Sequence, residues 1–389
     1  MDFSFTPEQT QIRDEVARLC VPFDDEYWLK KDKEGGFPHD FHAAVAKGGW
    51  LGIAMPAAHG GAGLGVTEAS ILMQAISQSG ACLSGASAVH MNIFGLLPVV
   101  VFGTPEQQAR MLPPLIAGKD KSCFAVTEPN TGLNTTQLKT KAERQPNGNY
   151  RVSGQKIWIS TAQVANKVLL LARTTPLENI KKKTDGLSLF YTDFDRTKIE
   201  VREIPKMGRH AVDSNMVYFD NVEIPGADLI GREGDGFKQI LHGMNPERIL
   251  VAAEAIGIGR IALNKATKYA RERVVFGRPI GQNQGIQHPL AQAWMHLEAA
   301  NLMVFKAATL YDKGEECGVE ANAAKYLAGE AAFQACQTAM MSMGGMGFAK
   351  EYHVERYLRE SFIPRIAPIS PHLIMNYIAE RVLDLPRSY

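Results

Sequence analysis

Two short stretches of the chain carry residues suited to holding a planar ring. Residues 123–134 read CFAVTEPNTGLN, an apolar strand that breaks into a Thr-Glu-Pro-Asn-Thr-Gly turn. Residues 154–162 read GQKIWISTA, a second strand carrying Trp158 with hydroxyls at Ser160 and Thr161. Backbone N–H groups and hydroxyls would hold the polar edge of such a ring, and the indole would cover one side. That chemistry suits a flavin. The same residues also read as a plain β-hairpin with a buried Trp.

A third stretch, Asn245-Pro246-Glu247-Arg248, supplies a carboxylate. It reads as a helix start, with Asn245 as N-cap, Pro246 at the first helical position and Glu247 in the first turn. A Glu there complements the helix dipole, which also lowers its pKa. It serves as a base only where burial outweighs the dipole. On these residues alone Asn245 is a cap and Arg248 a surface charge.

The elements that must position these groups fall into three blocks. Residues 1 to 120 read as helices. Thr6-Pro7-Glu8-Gln9 and Thr104-Pro105-Glu106-Gln107 are capped starts, and a long apolar segment over 67–102 is interrupted at Gly80 and Gly85. Residues 121 to 232 read as short strands over 168–172, 187–192, 199–204 and 216–219, with turns between them and a solvated Lys181–Lys183 loop. From 233 onward a helical period returns, over 246–274, 285–313, 319–343, 350–362 and 371–384. These helices are Ala-rich, as close packing requires, and are punctuated by glycines at 277–281 and 344–347.

Composition bounds the function. A chain of 389 residues is too long for one simple core, and 45% apolar with 21% charged residues is ordinary globular composition. A formal net charge of +1 argues against nucleic-acid and membrane partners. The ten His residues show no metal-ligand spacing. Five Cys without a CxxC read as small core residues in a reducing compartment. The N-terminus shows no targeting pattern, and no apolar run is read as reaching transmembrane length. A soluble cytoplasmic protein is expected.

The two ring-holding stretches resemble the flavin-binding β-domain signature of the acyl-CoA dehydrogenase family. Further blocks match in the same order: KMGRHAVDSNMVYFDNVEIPGADLIGREGDGF at 206–237, the helix from Glu247 with YARERVVFGRPIGQNQ at 269–284, GGMGF at 344–348 and YHVERYLRE at 352–360. The resemblance implies an α+β, mainly α fold: an N-terminal helical domain (1–120), a middle β-barrel-like domain (121–232) and a C-terminal four-helix bundle (233–389). It implies FAD, bound across a dimer interface. Phe124, Val126 and Thr127 would line the isoalloxazine, with Trp158 and Ser160 opposite and Leu133 in the flavin-phosphate region. Arg273, Phe276 and Gln284 would reach the neighbouring subunit's FAD, and Gly344-Gly345 would lie against that cofactor. Without the resemblance, Arg273 reads as a surface charge and Phe276 as a core residue. Two positions depart from the family: Leu133-Asn134 replace Ser-Asp, and Met341 replaces a Gln.

The implied reaction is α,β-dehydrogenation of an acyl-CoA thioester with a short or branched acyl group. Electrons would pass to an electron-transfer flavoprotein, in a homodimer or homotetramer. The family's usual Glu, in a Glu-Gly-Thr run after the Arg359-Glu360 block, falls on Pro368 in Ala367-Pro368-Ile369-Ser370. A second group, typified by isovaleryl-CoA and long-chain acyl-CoA dehydrogenases, places its Glu directly before an Arg at the start of the first long bundle helix. That position is Glu247, which makes Glu247 the expected base, with Asn245 and Arg248 near the substrate. Pro368 also lacks the backbone N–H that helps polarise the thioester carbonyl in the family. A register slip, a flavin ribityl hydroxyl or a different substrate pose would each compensate. A flavin oxidase or monooxygenase of the same fold, a dehydrogenase of carrier-protein thioesters and a non-catalytic flavoprotein stand as alternatives.

Overall fold

The computed structural model describes residues 3–388. Seven α-helices come first: α1 (Pro7–Cys20), α2 (Asp25–Glu34), α3 (His39–Lys47), α4 (Val66–Ile76), α5 (Cys82–Phe94), α6 (Leu97–Phe102) and α7 (Pro105–Ile116). Both expected capping boxes close. The hydroxyls of Thr6 and Thr104 accept from the backbone of Gln9 and Gln107, whose side chains return the bond. The expected break at Gly80 is present, where a φ of +102° ends α4 in one π-helical turn. Gly85 does not break the chain. It lies inside α5, where a Cβ would come within 3.2 Å of the Trp28 ring. Taken as one run, Val66–Phe102 is long and apolar enough to cross a membrane, contrary to the reading above. In the fold it is divided into α4, α5 and α6 and is mostly buried.

Eight strands follow in one sheet: β1 (Ser122–Ala125), β2 (Lys141–Arg144), β3 (Tyr150–Ser160), β4 (Lys167–Arg173), β5 (Leu187–Asp193), β6 (Ile199–Glu203), β7 (Ser214–Ile224) and β8 (Leu229–Ile230). Their order is β6-β7-β3-β2-β4-β5-β8, with β1 parallel to β4. Between Lys167 and Arg173 at its ends, strand β4 is apolar over 168–172 because both its faces are covered. Val168, Leu170 and Ala172 enter a core made by the strands themselves. Leu169 and Leu171 enter another with Leu112 and Leu115 of α7.

The remaining helices are α8 (Gly236–His242), α9 (Met244–Glu272), α10 (Gln284–Asp312), α11 (Gly318–Met343), α12 (Gly345–Phe348), α13 (Val354–Ser361), α14 (Ile363–Ile366) and α15 (Pro371–Arg381). A hairpin, β9 (Val274–Val275) with β10 (Arg278–Pro279), joins α9 to α10. The helix expected from 350 begins at Val354, because His353 takes a left-handed φ of 65°. Helices α4, α5, α9, α10 and α11 share one core, built largely from alanines on the long helices. Gly257 of α9 lets α4 approach, since a Cβ there would lie 2.6 Å from the Gln74 carbonyl oxygen.

Asn245 is not an N-cap. Helix α9 starts at Met244, and Gly243 between α8 and α9 is itself in the right-handed helical region, so Asn245 and Pro246 fall inside the first turn. The missing cap is no loss, because α8 runs directly into α9. Glu247 stays in the first turn, with its N–H donating to the Gly243 carbonyl at 3.2 Å.

Candidate active site

The sheet and the helices enclose a cavity of about 440 Å³. One wall is the pair of stretches that opened the sequence reading. They are joined by backbone: the Ile157 N–H donates to the Thr127 carbonyl at 2.9 Å. Phe124, Val126, Thr127, Leu133, Trp158 and Ser160 all line this cavity. A bulge in the β3–β7 pairing turns Trp158 out of the sheet. Its φ is +62°, and its indole is 57% exposed rather than buried as in a plain hairpin.

Behind that wall lies a support that the sequence reading missed. Lys156 Nζ, fully buried, donates to the Val126 and Leu171 carbonyls at 3.0 and 2.8 Å and to Glu128 Oε1 at 3.0 Å. Glu128 also accepts from the N–H groups of Lys139 and Thr140, at 2.7 and 2.8 Å. Burial brings the Lys156 pKa down to about 8 against the pull of Glu128. The Glu of the Thr-Glu-Pro-Asn turn therefore ties β3 to the segment after β1.

Glu247 and Arg248 of α9 line the same cavity. Glu247 Oε2 is shut off from solvent and has no hydrogen-bond partner within the chain. Burial raises its pKa, opposed by the charges of His90 and Arg248. Burial thus outweighs the two neighbouring positive charges, which favours a useful base. Arg248 donates to Asn245 Oδ1 at 3.0 Å, and Asn245 Nδ2 donates to Cys317 Sγ at 3.7 Å. Asn245 braces Arg248 and is not itself on the cavity wall. Ala367, Pro368 and Ile369 close one side, so the loop expected at the cavity reaches it but brings no carboxylate. Buried Lys325 donates to the Ile369 carbonyl at 2.6 Å and holds that loop.

Three further groups on the wall escaped the sequence reading: His90 and Glu254, whose Nδ1 and Oε1 lie 2.6 Å apart, and Arg209. The signal was present, because His90 is the one His in the apolar 67–102 segment. Glu254 is the one charge between Arg248 and Arg260.

Arg273, Phe276, Gln284, Gly344 and Gly345 do not join this cavity. All five are exposed, on the β9–β10 hairpin, at the start of α10 and between α11 and α12. Phe276 is fully exposed with a φ of +52°, which corrects its reading as a core residue. A Cβ at Gly344 or Gly345 would meet nothing within 4 Å.

The cavity fits a flavin. An apolar floor at Phe124 and Val126, an outward indole and hydroxyls at Thr127 and Ser160 surround a space deep enough for a ring. Fold and site together define a flavoprotein dehydrogenase with a helix–sheet–helix architecture.

Comparison with known proteins agrees. Residues 6–119, 123–222 and 234–383 match the N-terminal, middle and C-terminal domains of acyl-CoA dehydrogenase. An acyl-CoA dehydrogenase of Mycobacterium tuberculosis is 37% identical over the full length of both chains. The butyryl-CoA dehydrogenase of Megasphaera elsdenii superposes with a TM-score of 0.92 at 27% identity, over 96% of this chain and 98% of that one. A chain from structural work on the electron transferring flavoprotein of Acidaminococcus fermentans superposes with a TM-score of 0.93 at 28% identity, over 98% and 100%. The chain belongs to the acyl-CoA dehydrogenase family and is an FAD-dependent oxidoreductase acting on the CH–CH bond of acyl-CoA thioesters.

Proposed function

We propose that Glu247 is the base that takes the α-proton of the acyl thioester. The observation that carries this is its buried, unpartnered Oε2, on a residue that lines the same cavity as Phe124, Trp158 and Ser160. FAD, when bound, accepts the β-hydrogen as hydride. Burial keeps Glu247 basic enough for a weak carbon acid, and neighbouring Arg248 limits that rise so that the ionised form stays accessible. Phe124, Val126, Thr127, Trp158, Ser160 and Leu133 are assigned to the flavin, Asn245 and Arg248 to ordering the thioester arm. Pro368 offers no N–H to the thioester oxygen, so carbonyl polarisation falls to other donors.

Glu254 stands seven residues beyond Glu247, about 10 Å along the helix axis. With His90 it caps that end of the cavity, which supports a short or branched acyl group. Arg273, Phe276, Gln284, Gly344 and Gly345 are assigned to a second copy of the chain and its FAD. Exposed Phe276, Met341 and Phe348 supply apolar surface for such a dimer or tetramer. An electron-transfer flavoprotein is the proposed acceptor. A cytoplasmic setting suits five unpaired, buried cysteines.

The deciding experiment is anaerobic titration of the FAD-loaded protein with a panel of acyl-CoAs, following flavin absorbance, for wild type and Glu247→Gln. Bleaching in the wild type and not in the variant supports the assignment. Equal bleaching in both removes Glu247 from the role. Bleaching by none removes the dehydrogenase reading.

A further inference from the structure

An acyl pocket for a plain hydrocarbon chain has no use for charge, yet the wall beyond Glu247 is ionic. His90 Nδ1 and Glu254 Oε1 lie 2.6 Å apart, and Glu254 is 2% exposed. That bond occupies one nitrogen of the ring. The other, Nε2, is buried and has no partner in the chain. Beside it, Arg209 donates to Ser87 Oγ at 3.2 Å and to Ser160 and Ser214 Oγ at 2.9 Å each. Its Nε is buried and unpartnered. Among the described residues no carboxylate lies within ion-pairing distance of Arg209. A guanidinium bonded only to neutral hydroxyls, and an imidazole nitrogen bonded to nothing, are costly inside a protein unless a ligand completes them.

Placement makes the ligand's identity specific. Glu247, Val251 and Glu254 follow one another at helical spacing on α9, and all three line the cavity. An acyl chain with its α-carbon at Glu247 that followed this face of α9 would pass Val251 and reach the His90–Glu254 pair. The charged side chains on the wall are Arg209, Arg248 and His90 against Glu247 and Glu254. Burial pulls the His90 pKa down, but the charge and hydrogen bond of Glu254 outweigh it and raise it.

We infer that the acyl group of the preferred substrate carries an oxygen acceptor at its far end, received by His90 and Arg209, and that the Arg209 guanidinium, which has no ion-pair partner among the described residues, makes this oxygen a carboxylate. Glu254 acts through His90 as a positioning residue: its bond to Nδ1 fixes the ring and leaves Nε2 as the nitrogen without a partner in the chain. A methyl terminus would leave both donors buried and unpaired, which is how a hydrogen-bonding pocket rejects an apolar analogue. The inference rests on the base assignment and deepens it by naming the substrate class.

The experiment compares acyl-CoAs of equal chain length that end in a carboxylate, a hydroxyl or a methyl group, using the FAD-loaded wild type. The expected order of kcat/KM is carboxylate, then hydroxyl, then methyl, with at least about 100-fold between the ends. In His90→Leu/Glu254→Leu the carboxylate-to-methyl ratio of kcat/KM should fall by at least about 10-fold, a ratio in which any change in the base itself cancels. His90→Gln, which keeps a donor, should retain part of the preference. Flavin absorbance and circular dichroism verify that each variant is folded and loaded. A wild type that turns over the methyl-terminated thioester as well as the others overturns this inference and leaves the dehydrogenase reading standing. So does a ratio unchanged in the double variant. Failure of every thioester to bleach the flavin overturns both.

Discussion

Glu247 and Glu254 lie two turns apart on one face of α9, and their oxygens meet opposite conditions. Glu254 Oε1 lies 2.6 Å from His90 Nδ1, whereas Glu247 Oε2 is buried and unpartnered. A carboxylate locked by an imidazole is a poor proton acceptor, and an unpartnered one is a good one. The helix therefore places two chemically identical groups in two different environments. Glu247→Gln should keep the fold and the flavin while lowering kcat by about 10²–10⁴-fold, as measured by the rate of anaerobic flavin bleaching.

The raised pKa of Glu247 gives two pH dependences of opposite sign. A base works ionised, so kcat/KM should rise with pH through the raised value and fall away on its acid side. Stability runs the other way. The folded chain holds this proton more tightly than the unfolded one. Its contribution therefore declines as pH climbs from the ordinary 4.5 through the raised value. Glu247→Gln should accordingly melt higher than wild type at neutral pH, with the gap closing toward pH 4. A variant less stable than wild type at both pH values would contradict the burial argument.

Lys156 and Glu128 tie the flavin wall together from behind. Lys156→Met strands the Glu128 carboxylate in the interior and frees the Val126 and Leu171 carbonyls. The cost should be about 3–5 kcal/mol in urea denaturation. Loosening of the 124–127 segment should also show as weaker FAD retention on gel filtration.

Much of this was legible in the sequence, for identifiable reasons. Capping boxes at Thr6 and Thr104 are local chemistry, so they survived folding unchanged. Helices α9, α10 and α11 followed from long uninterrupted periodicity. Asn245 misled because a good cap residue says nothing about whether a preceding helix already supplies the turn, as α8 does. His90 and Glu254 were passed over because each, alone in an apolar run, looks like an isolated polar residue. Their meeting depends on α5 packing against α9 across 164 residues of chain. Arg209 drew no attention because its partners, Ser87, Ser160 and Ser214, come from three separate segments.

Phe276 is fully exposed at the tip of a short hairpin, in a left-handed conformation that aromatic residues rarely adopt. Such a side chain is expected to be covered by a second copy of the chain. Phe276→Asp should leave the subunit's melting unchanged when subunits are dilute. It should weaken self-association by about 2 kcal/mol or more, roughly 30-fold, in sedimentation velocity, and speed FAD loss. Unchanged association would move the interface elsewhere.

Pro368 and Glu247 face the same cavity from different elements, the loop after α14 and the first turn of α9. Of these two lining positions only Glu247 carries a carboxylate. Placing the base on the loop should transfer the function: Glu247→Gln/Pro368→Glu should recover part of the bleaching rate that Glu247→Gln loses. The substitution also restores a backbone N–H where proline has none, which adds a donor for the thioester oxygen. Pro368→Gln in the same background separates the two effects, since it supplies the N–H without the base. Recovery in the Glu variant and not in the Gln variant shows the loop can hold the base. Equal, weak recovery in both assigns the gain to carbonyl polarisation, a term whose single-donor loss is typically about 10²–10³ in kcat. No recovery in either would mean that the loop side chain at 368 does not reach the reacting carbon, leaving Glu247 as the position this fold has committed to.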